Sequence, residues 1–320
     1  MSIKRYEGVS VTTVTPFHDD GSVDYALLDA QTEFLINGGV KILVVCGNTG
    51  EFTSLGVEET EKVIARTTAA VRGRATVIAG VGWSSPIAGE IAASAQAAGA
   101  DAVMVHHPAH TFISRVALRK YYEQVMARIS IDFIPYKRGP EVSDDLLRDL
   151  VSDKQVAAVK YGFNDVNAFA RLVESSTSDV TWICGTAERW AAYFWLAGAR
   201  GFTSGLAAFA PGKSLALFAA LRRFDYSEAM HITAELAPFE ELRQRHHSAN
   251  NVPAVKEAMH QLGIGTATVR DPLQRLSEAE QQEVSQILAD WALESGRSPA
   301  DPLSGGSTVS QRPNATSPVQ

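Results

Sequence analysis

Short β-branched, apolar runs alternate along the chain with longer segments whose apolar residues recur at helical spacing. The strand-like runs lie at 9–14, 42–46, 76–79, 102–106, 131–135, 156–160, 180–184 and 201–203. Between the first two, Leu27, Leu28, Ala30, Phe34 and Leu35 make one helical face. Further helical patterns cover 57–71, 87–98, 117–129, 143–151, 166–173 and 189–197. Asp24, Ser84, Ser143 and Asn164 sit where short polar side chains cap free N–H groups, and Gly38–Gly39, Gly73, Gly99 and Gly198 fall where helices should stop. Eight such strand–helix units within residues 1–210 are what a closed parallel barrel requires. An open doubly wound sheet uses fewer strands and often carries a Gly-rich phosphate turn after the first, and Thr15-Pro16-Phe17 is no such turn. The pattern predicts an α/β protein of the TIM (β/α)8 barrel type.

More helical segments follow, at 212–222, 226–244, 252–262 and 278–293. They exceed one barrel helix, so residues 211–294 are expected to form a C-terminal helical extension packed on the barrel. From 295 to 320 the chain turns to Ser, Gly, Pro, Thr and Gln with almost no large apolar side chain, a composition that predicts disorder.

Composition narrows the function classes. With 45% hydrophobic and 20% charged residues the chain is of ordinary globular make-up. Its net charge is −7, without a basic stripe, which argues against nucleic acid or an anionic membrane surface as partner. No stretch approaches the roughly 18 apolar residues of a membrane span, and the first residues have no apolar run behind their positive charges. A cytoplasmic location is the expectation. The two cysteines, Cys46 and Cys184, make neither a disulfide framework nor a zinc module.

Barrel enzymes place their chemistry at the carboxyl ends of the strands. Strand two ends in Gly47-Asn48-Thr49-Gly50-Glu51, where two glycines let a ligand approach the backbone and Asn48, Thr49 and their amides can hold a carboxylate. The same five residues also suit a plain strand-to-helix turn. Strand six ends in Val159-Lys160-Tyr161, and a lysine finishing an apolar strand is either a desolvated nucleophile or a side chain snorkelling to solvent. Strand five ends in Tyr136-Lys137-Arg138. Tyr136 either shuttles protons or caps the core, while Arg138 either grips a carboxylate or is surface charge.

At these three strand ends the sequence resembles the dihydrodipicolinate synthase/N-acetylneuraminate lyase family of class I aldolases and dehydratases, from about Tyr6 to Leu293. Gly47-Asn-Thr-Gly-Glu51 is similar to the family's GxxGE segment, which binds the keto acid carboxylate. Val159-Lys160 is similar to its Schiff-base position, and Tyr136 to its proton-relay tyrosine. The resemblance implies that Lys160 forms an imine with pyruvate or a longer 2-keto acid, without metal or organic cofactor, in a homo-oligomer (tetramer or dimer). Two departures count against lysine biosynthesis, that is, against 4-hydroxy-tetrahydrodipicolinate synthase proper. His110 replaces the second tyrosine after strand four, and the turn after strand five is the shorter Tyr136-Lys137-Arg138-Gly139-Pro140. The Tyr-x-Arg arrangement is closer to that of 5-dehydro-4-deoxyglucarate dehydratases. A lyase with a non-lysine substrate is therefore expected, whether aldolase or dehydratase.

Other signals are weaker. His106, His107 and His110 invite a metal reading, but no carboxylate lies near in sequence and adjacent strand residues face opposite ways. No metal is expected, and His110 is instead a candidate polar contact to substrate. Thr203 and Ser204 after strand eight are candidate substrate ligands, and Gly185-Thr186-Ala187-Glu188 adds polar groups after strand seven. Arg243, Arg245, His246 and His247 read as a solvated helix face. A barrel that binds keto acids without turnover is the rival function class, and the joint presence of Tyr136, Lys160 and the GxxGE turn argues against it.

Overall fold

The computed structural model describes residues 5–110 and 112–293. Eight parallel strands close in sequence order: β1 (Gly8–Thr12), β2 (Ile42–Val45), β3 (Thr76–Val81), β4 (Ala102–Val105), β5 (Asp132–Lys137), β6 (Ala158–Tyr161), β7 (Thr181–Cys184) and β8 (Gly201–Ser204). Closure is made by β8 pairing with β1, Val9 opposite Phe202 and Ser10 opposite Thr203. Helices α1 (Tyr25–Asn37), α2 (Val57–Val71), α3 (Ser85–Ala97), α4 (Arg115–Met126), α5 (Asp144–Leu150), α6 (Val166–Ser175) and α7 (Glu188–Leu196) connect successive strands. The eighth, α8 (Pro211–Arg222), packs against β1 and α7 and completes the ring.

Side-chain alternation along each strand produces two apolar regions. Ile42, Val44, Ile78, Ala102, Met104, Ile134, Ala158 and Ile183 point inward and fill the barrel. Leu43, Val45, Val77, Val103, Phe133 and Val159 point outward and meet the helices. Strands buried on both faces read as nearly continuous apolar runs, which is why they stood out in the sequence.

Local signals act mostly as expected. Asp24 and Ser143 accept hydrogen bonds from the backbone N–H of Leu27 and Leu146. Ser84 occupies the N-cap of α3 without a side-chain bond. Asn164 is not a cap, because Asp165 takes that position and accepts from the Ala168 N–H at 2.8 Å. The expected stops at Gly39, Gly73, Gly99 and Gly198 all have positive φ.

Three helices follow the ring: α9 (Tyr226–Ser248), α10 (Asn251–Gln261) and α11 (Glu278–Asp290). The helical dihedrals of α9 stop after Gln244, since Arg245, His246 and His247 leave the helical region. α9 packs on α7 and α8, α10 on α9, and Trp291 lies against Phe239 and Phe209. The extension also reaches the loops at the barrel mouth: the Thr266 hydroxyl donates to the Phe17 carbonyl, and Arg270 spans the Gly21 carbonyl and Glu59. The tail from 295 onward, expected to be disordered, lies outside the described residues.

Candidate active site

At the carboxyl end of the barrel a cavity of about 440 Å³ opens above Lys160. Lys160 ends β6 on the inward side, two residues after Ala158, and is only 5% exposed. Tyr136 is its direct neighbour on β5, equally buried, with the Lys160 Nζ 4.2 Å from the centre of the phenol ring. From the β2–α2 turn the Asn48 amide donates to the Tyr136 hydroxyl at 3.3 Å. Thr49 from that turn, Thr12 at the end of β1 and Thr203 on β8 line the same cavity, and Arg138 stands at its rim. Residues far apart in sequence thus converge because every parallel strand delivers its C-terminal residue to one face.

Burial sets the charge states. Removing Lys160 from water disfavours its ammonium form, and the Arg138 guanidinium pushes in the same direction, against an opposing effect of Cys184. The amine is lowered to a pKa of about 8. Tyr136 is raised by burial, so its phenol is neutral and able to donate or accept a proton. His106, just after β4, stacks on Phe52 at 4.4 Å and lies edge-on to Tyr136 at 5.9 Å. Burial brings its pKa down to about 4, and its Nε2–H donates to the Cys46 carbonyl, so the ring is uncharged. A second cavity of about 420 Å³ lies on this side, lined by Phe52, Trp83 and His106 and sharing Asn48, Tyr136 and Arg138 with the first.

The turn after β2 owes its shape to close packing. A Cβ on Gly47 would meet the Thr12 methyl at 2.5 Å, so only glycine fits there. Glu51 adopts a left-handed conformation with φ of 56° and turns its carboxylate away from the cavity. There it forms a buried ion pair with Lys256 of α10 and accepts the Arg270 backbone N–H at 3.0 Å. The last residue of the GxxGE segment therefore ties the turn after β2 to the C-terminal extension. Lys256→Met is expected to destabilise the fold by roughly 3–5 kcal/mol, since it leaves a buried carboxylate without its cation. Denaturant midpoints of this variant and of Glu51→Gln/Lys256→Met test it, the double variant recovering part of the loss. Equal midpoints for wild type and Lys256→Met would show that the pair contributes nothing.

The structure brings together Lys160, Tyr136, Asn48, Thr49, Arg138 and Thr203, all around one cavity. Gly47 shapes the turn beneath it. Ser204 turns the other way: its hydroxyl accepts from the Ala207 N–H and meets the Ser214 hydroxyl of α8. His110 is exposed, outside both cavities, with its Nδ1 accepting the Phe112 N–H. After β7, Gly185, Thr186 and Ala187 line the cavity, whereas Glu188 is fully buried against Ser214 and is raised to a pKa of about 7, chiefly by burial.

The solvated-face reading of residues 243–247 fails for Arg243. This side chain is 5% exposed, bonded to Glu240 and Asn251, and faces the cavity. Sequence reasoning also missed Glu240, Gln244, Asn251, Trp190 and Asn164, all of which line it. The last was read as a cap because capping and ligand-facing asparagines look alike in sequence. No local pattern marks residues of α9 for a site built by β-strands.

A closed eight-stranded barrel with a buried amine on β6, beside a phenol on β5, defines the class of Schiff-base-forming lyases. Comparison then fixes the family. The dihydrodipicolinate synthetase family profile matches residues 5–291, and the chain belongs to that family. It is 29% identical to a 4-hydroxy-tetrahydrodipicolinate synthase of Methanoculleus marisnigri, over 89% of this chain and 99% of that protein. It is 31% identical to a probable 5-dehydro-4-deoxyglucarate dehydratase of Ralstonia nicotianae, over 86% of this chain and 90% of that one. Among solved structures, a dihydrodipicolinate synthase of Bacillus clausii superposes with a TM-score of 0.88 at 38% identity, covering 91% of this chain and 99% of that chain.

Proposed function

We propose that the protein binds a 2-keto acid at the mouth of the barrel and activates it as an imine on Lys160. The Nζ lone pair adds to the C2 carbonyl, and the resulting carbinolamine loses water to leave a C=N bond. In its protonated form that bond draws electrons from C3, so a proton or a carbon fragment can leave C3 or add to it. Thr49, Asn48 and the backbone of their turn would hold the C1 carboxylate, with Thr203 beside it. Tyr136 would carry protons between the carbinolamine oxygen and C3.

The observation that carries this reading is the burial of Lys160 against Tyr136 at the cavity floor. A pKa of about 8 leaves roughly a tenth of the amine neutral at pH 7, a few hundred-fold more than at 10.5. The sequence departures at His110 and at the turn after Tyr136 favour a substrate outside lysine biosynthesis. Rapid condensation of pyruvate with aspartate semialdehyde by the pure protein would overturn that exclusion.

Borohydride reduction during incubation with pyruvate, followed by intact mass, tests the imine. One reduced adduct per chain is expected. Its rate of formation should rise from pH 6 and level off above a midpoint near 8, because only the unprotonated amine attacks. A rate independent of pH across that range, or no adduct with any 2-keto acid, would count against Lys160 as the nucleophile.

A further inference from the structure

Glu188 plays no part in the imine chemistry, yet it lies directly behind the cavity wall. Ala187, which lines the cavity, has φ of 65° and ψ of −166°, a conformation L-residues seldom adopt, and from there the chain carries Glu188 into the interior. Glu188 is fully buried. One of its carboxyl oxygens accepts the Ser214 hydroxyl at 2.5 Å, and the other is buried without a hydrogen-bond partner among the described residues. We propose that Glu188 is a proton-binding site coupled to the cavity, and that it takes up a proton when an anionic ligand binds there. This rests on the reading above only in that the ligand is a carboxylate.

The balance of buried charge carries it. Facing Glu188 are the Cys184 thiol of β7, the Ser204 hydroxyl of β8, the Ser214 hydroxyl of α8, and Glu240 with Arg243 of α9. Arg243 is the one cation of that set, and it already donates to Glu240 at 2.6 Å. Lys213 and Arg189, next in sequence to Ser214 and Glu188, pair with Glu235 and Glu241. Two buried carboxyl groups therefore share one buried guanidinium. Ionising both would leave a net negative charge out of water. A proton removes that charge, and Glu188 is the carboxyl group without a cation of its own. Its pKa is accordingly raised, by burial first and by Glu240 next, against smaller opposing effects of Ser204, Ser214 and Arg243.

The serine hydroxyls connect this group to the cavity. Ser214 directs its hydroxyl hydrogen at Glu188, so the Ser204 hydroxyl, 3.2 Å away, donates to Ser214, and the Ser204 oxygen accepts the Ala207 N–H at 2.8 Å. Ser204 stands between Thr203 and Gly205, which both line the cavity, as do Glu240 and Arg243. An anion in the cavity thus feels the charge state of Glu188 and binds more tightly when the carboxyl group is neutral. By reciprocity, its binding draws a proton onto Glu188.

Glu188→Gln tests this, since the amide keeps the acceptor for Ser214 and the shape of the group but cannot ionise. The probe is lactate, which has the carboxylate of pyruvate and no ketone to form an imine. Calorimetric titration in buffers of low and high ionisation enthalpy counts the protons taken up. At about pH 7.5 wild type is expected to take up about 0.3–0.5 proton per chain more than the variant, and between about pH 6 and 8 its lactate affinity should fall about three- to fivefold more. Lys160 also takes up protons, toward higher pH, and is common to both proteins. Melting temperatures without ligand give an independent readout. The folded-state pKa of Glu188 lies above the ordinary carboxyl value, so wild type loses stability as pH rises from about 5 to 8, and the advantage of Glu188→Gln should grow over that range. The same pH dependence of lactate binding in both proteins, or a uniform loss of affinity in the variant at every pH, would overturn the coupling. A melting difference that does not vary with pH would overturn the proton site itself. If neither lactate nor pyruvate bound, the keto acid reading would fail, and the melting series would still decide whether Glu188 holds the proton.

Discussion

Lys160→Ala should lose the borohydride-trapped keto acid adduct altogether and lower turnover on the order of 10³–10⁶-fold, the range seen when a covalent nucleophile is removed from an otherwise intact site. The size of the effect follows from the lack of a substitute. Lys137 is buried on the same side of the barrel, but its ammonium donates to the Val142 carbonyl at 2.7 Å and pairs with Asp144 at 3.0 Å. Lys256 is held by Glu51 and the Thr268 carbonyl, and Lys213 pairs with Glu235 on the helical side. Only Lys160, of these four, is buried without a carboxylate partner and lines the cavity. A shortened side chain also removes a buried cation, so the variant is expected to fold at least as stably as wild type. Intact mass after reduction, with and without the substitution, is the measurement. An adduct that persists in Lys160→Ala would place the nucleophile elsewhere.

Tyr136→Phe should behave differently. The ring stays against Lys160 and His106, so packing is kept and the imine still forms, more slowly, while proton transfer loses its hydroxyl. A fall in kcat of about 10²–10⁴-fold is expected, the usual worth of a positioned acid–base group, with the trapped adduct still present. The Asn48 amide loses its acceptor, a cost of about 1 kcal/mol that water in the open cavity would offset. Single-turnover measurement of adduct formation beside steady-state turnover separates the two steps. Unchanged turnover would reduce the phenol to a packing role.

These two substitutions fall on residues that could be picked from the sequence, and the reason is geometric. In a parallel barrel every strand ends on the same face, so a polar residue that closes an apolar run is already placed at the mouth. Lys160 after Val159 and Tyr136 after Pro135 are legible in that way, as are Asn48 and Thr49 after Cys46. Position at a strand end does not specify direction. Thr203 and Ser204 are neighbours, yet one faces the cavity and the other faces α8, because successive side chains on a strand point to opposite sides. For His110 the chain has left the strand, and no periodicity says where it points.

The extension is where the sequence was least informative. Its helices were legible, and the change after Gln244 coincides with the end of the expected helix at 244. Their placement was not. Arg243, Arg245, His246 and His247 look in sequence like one charged, solvated face. Arg245 does reach an exposed partner, Glu283 at 2.7 Å, while Arg243 is buried beside Glu240.

By itself the sequence determined the order of eight strand–helix units, the closure they imply, and the amine and phenol at the ends of strands six and five. All of these are local: they depend on periodicity and on which residue ends each run. What only the tertiary structure decided is the far half of the cavity. The Lys256–Glu51 pair seats the extension on the β2 turn, and Arg243 then lies against Gly205, about 40 residues away along the chain, and lines the same cavity as Thr49, nearly 200 residues away. Burial of a charge is set by what packs over it, and that depends on long-range contacts that no hydrophobic period records.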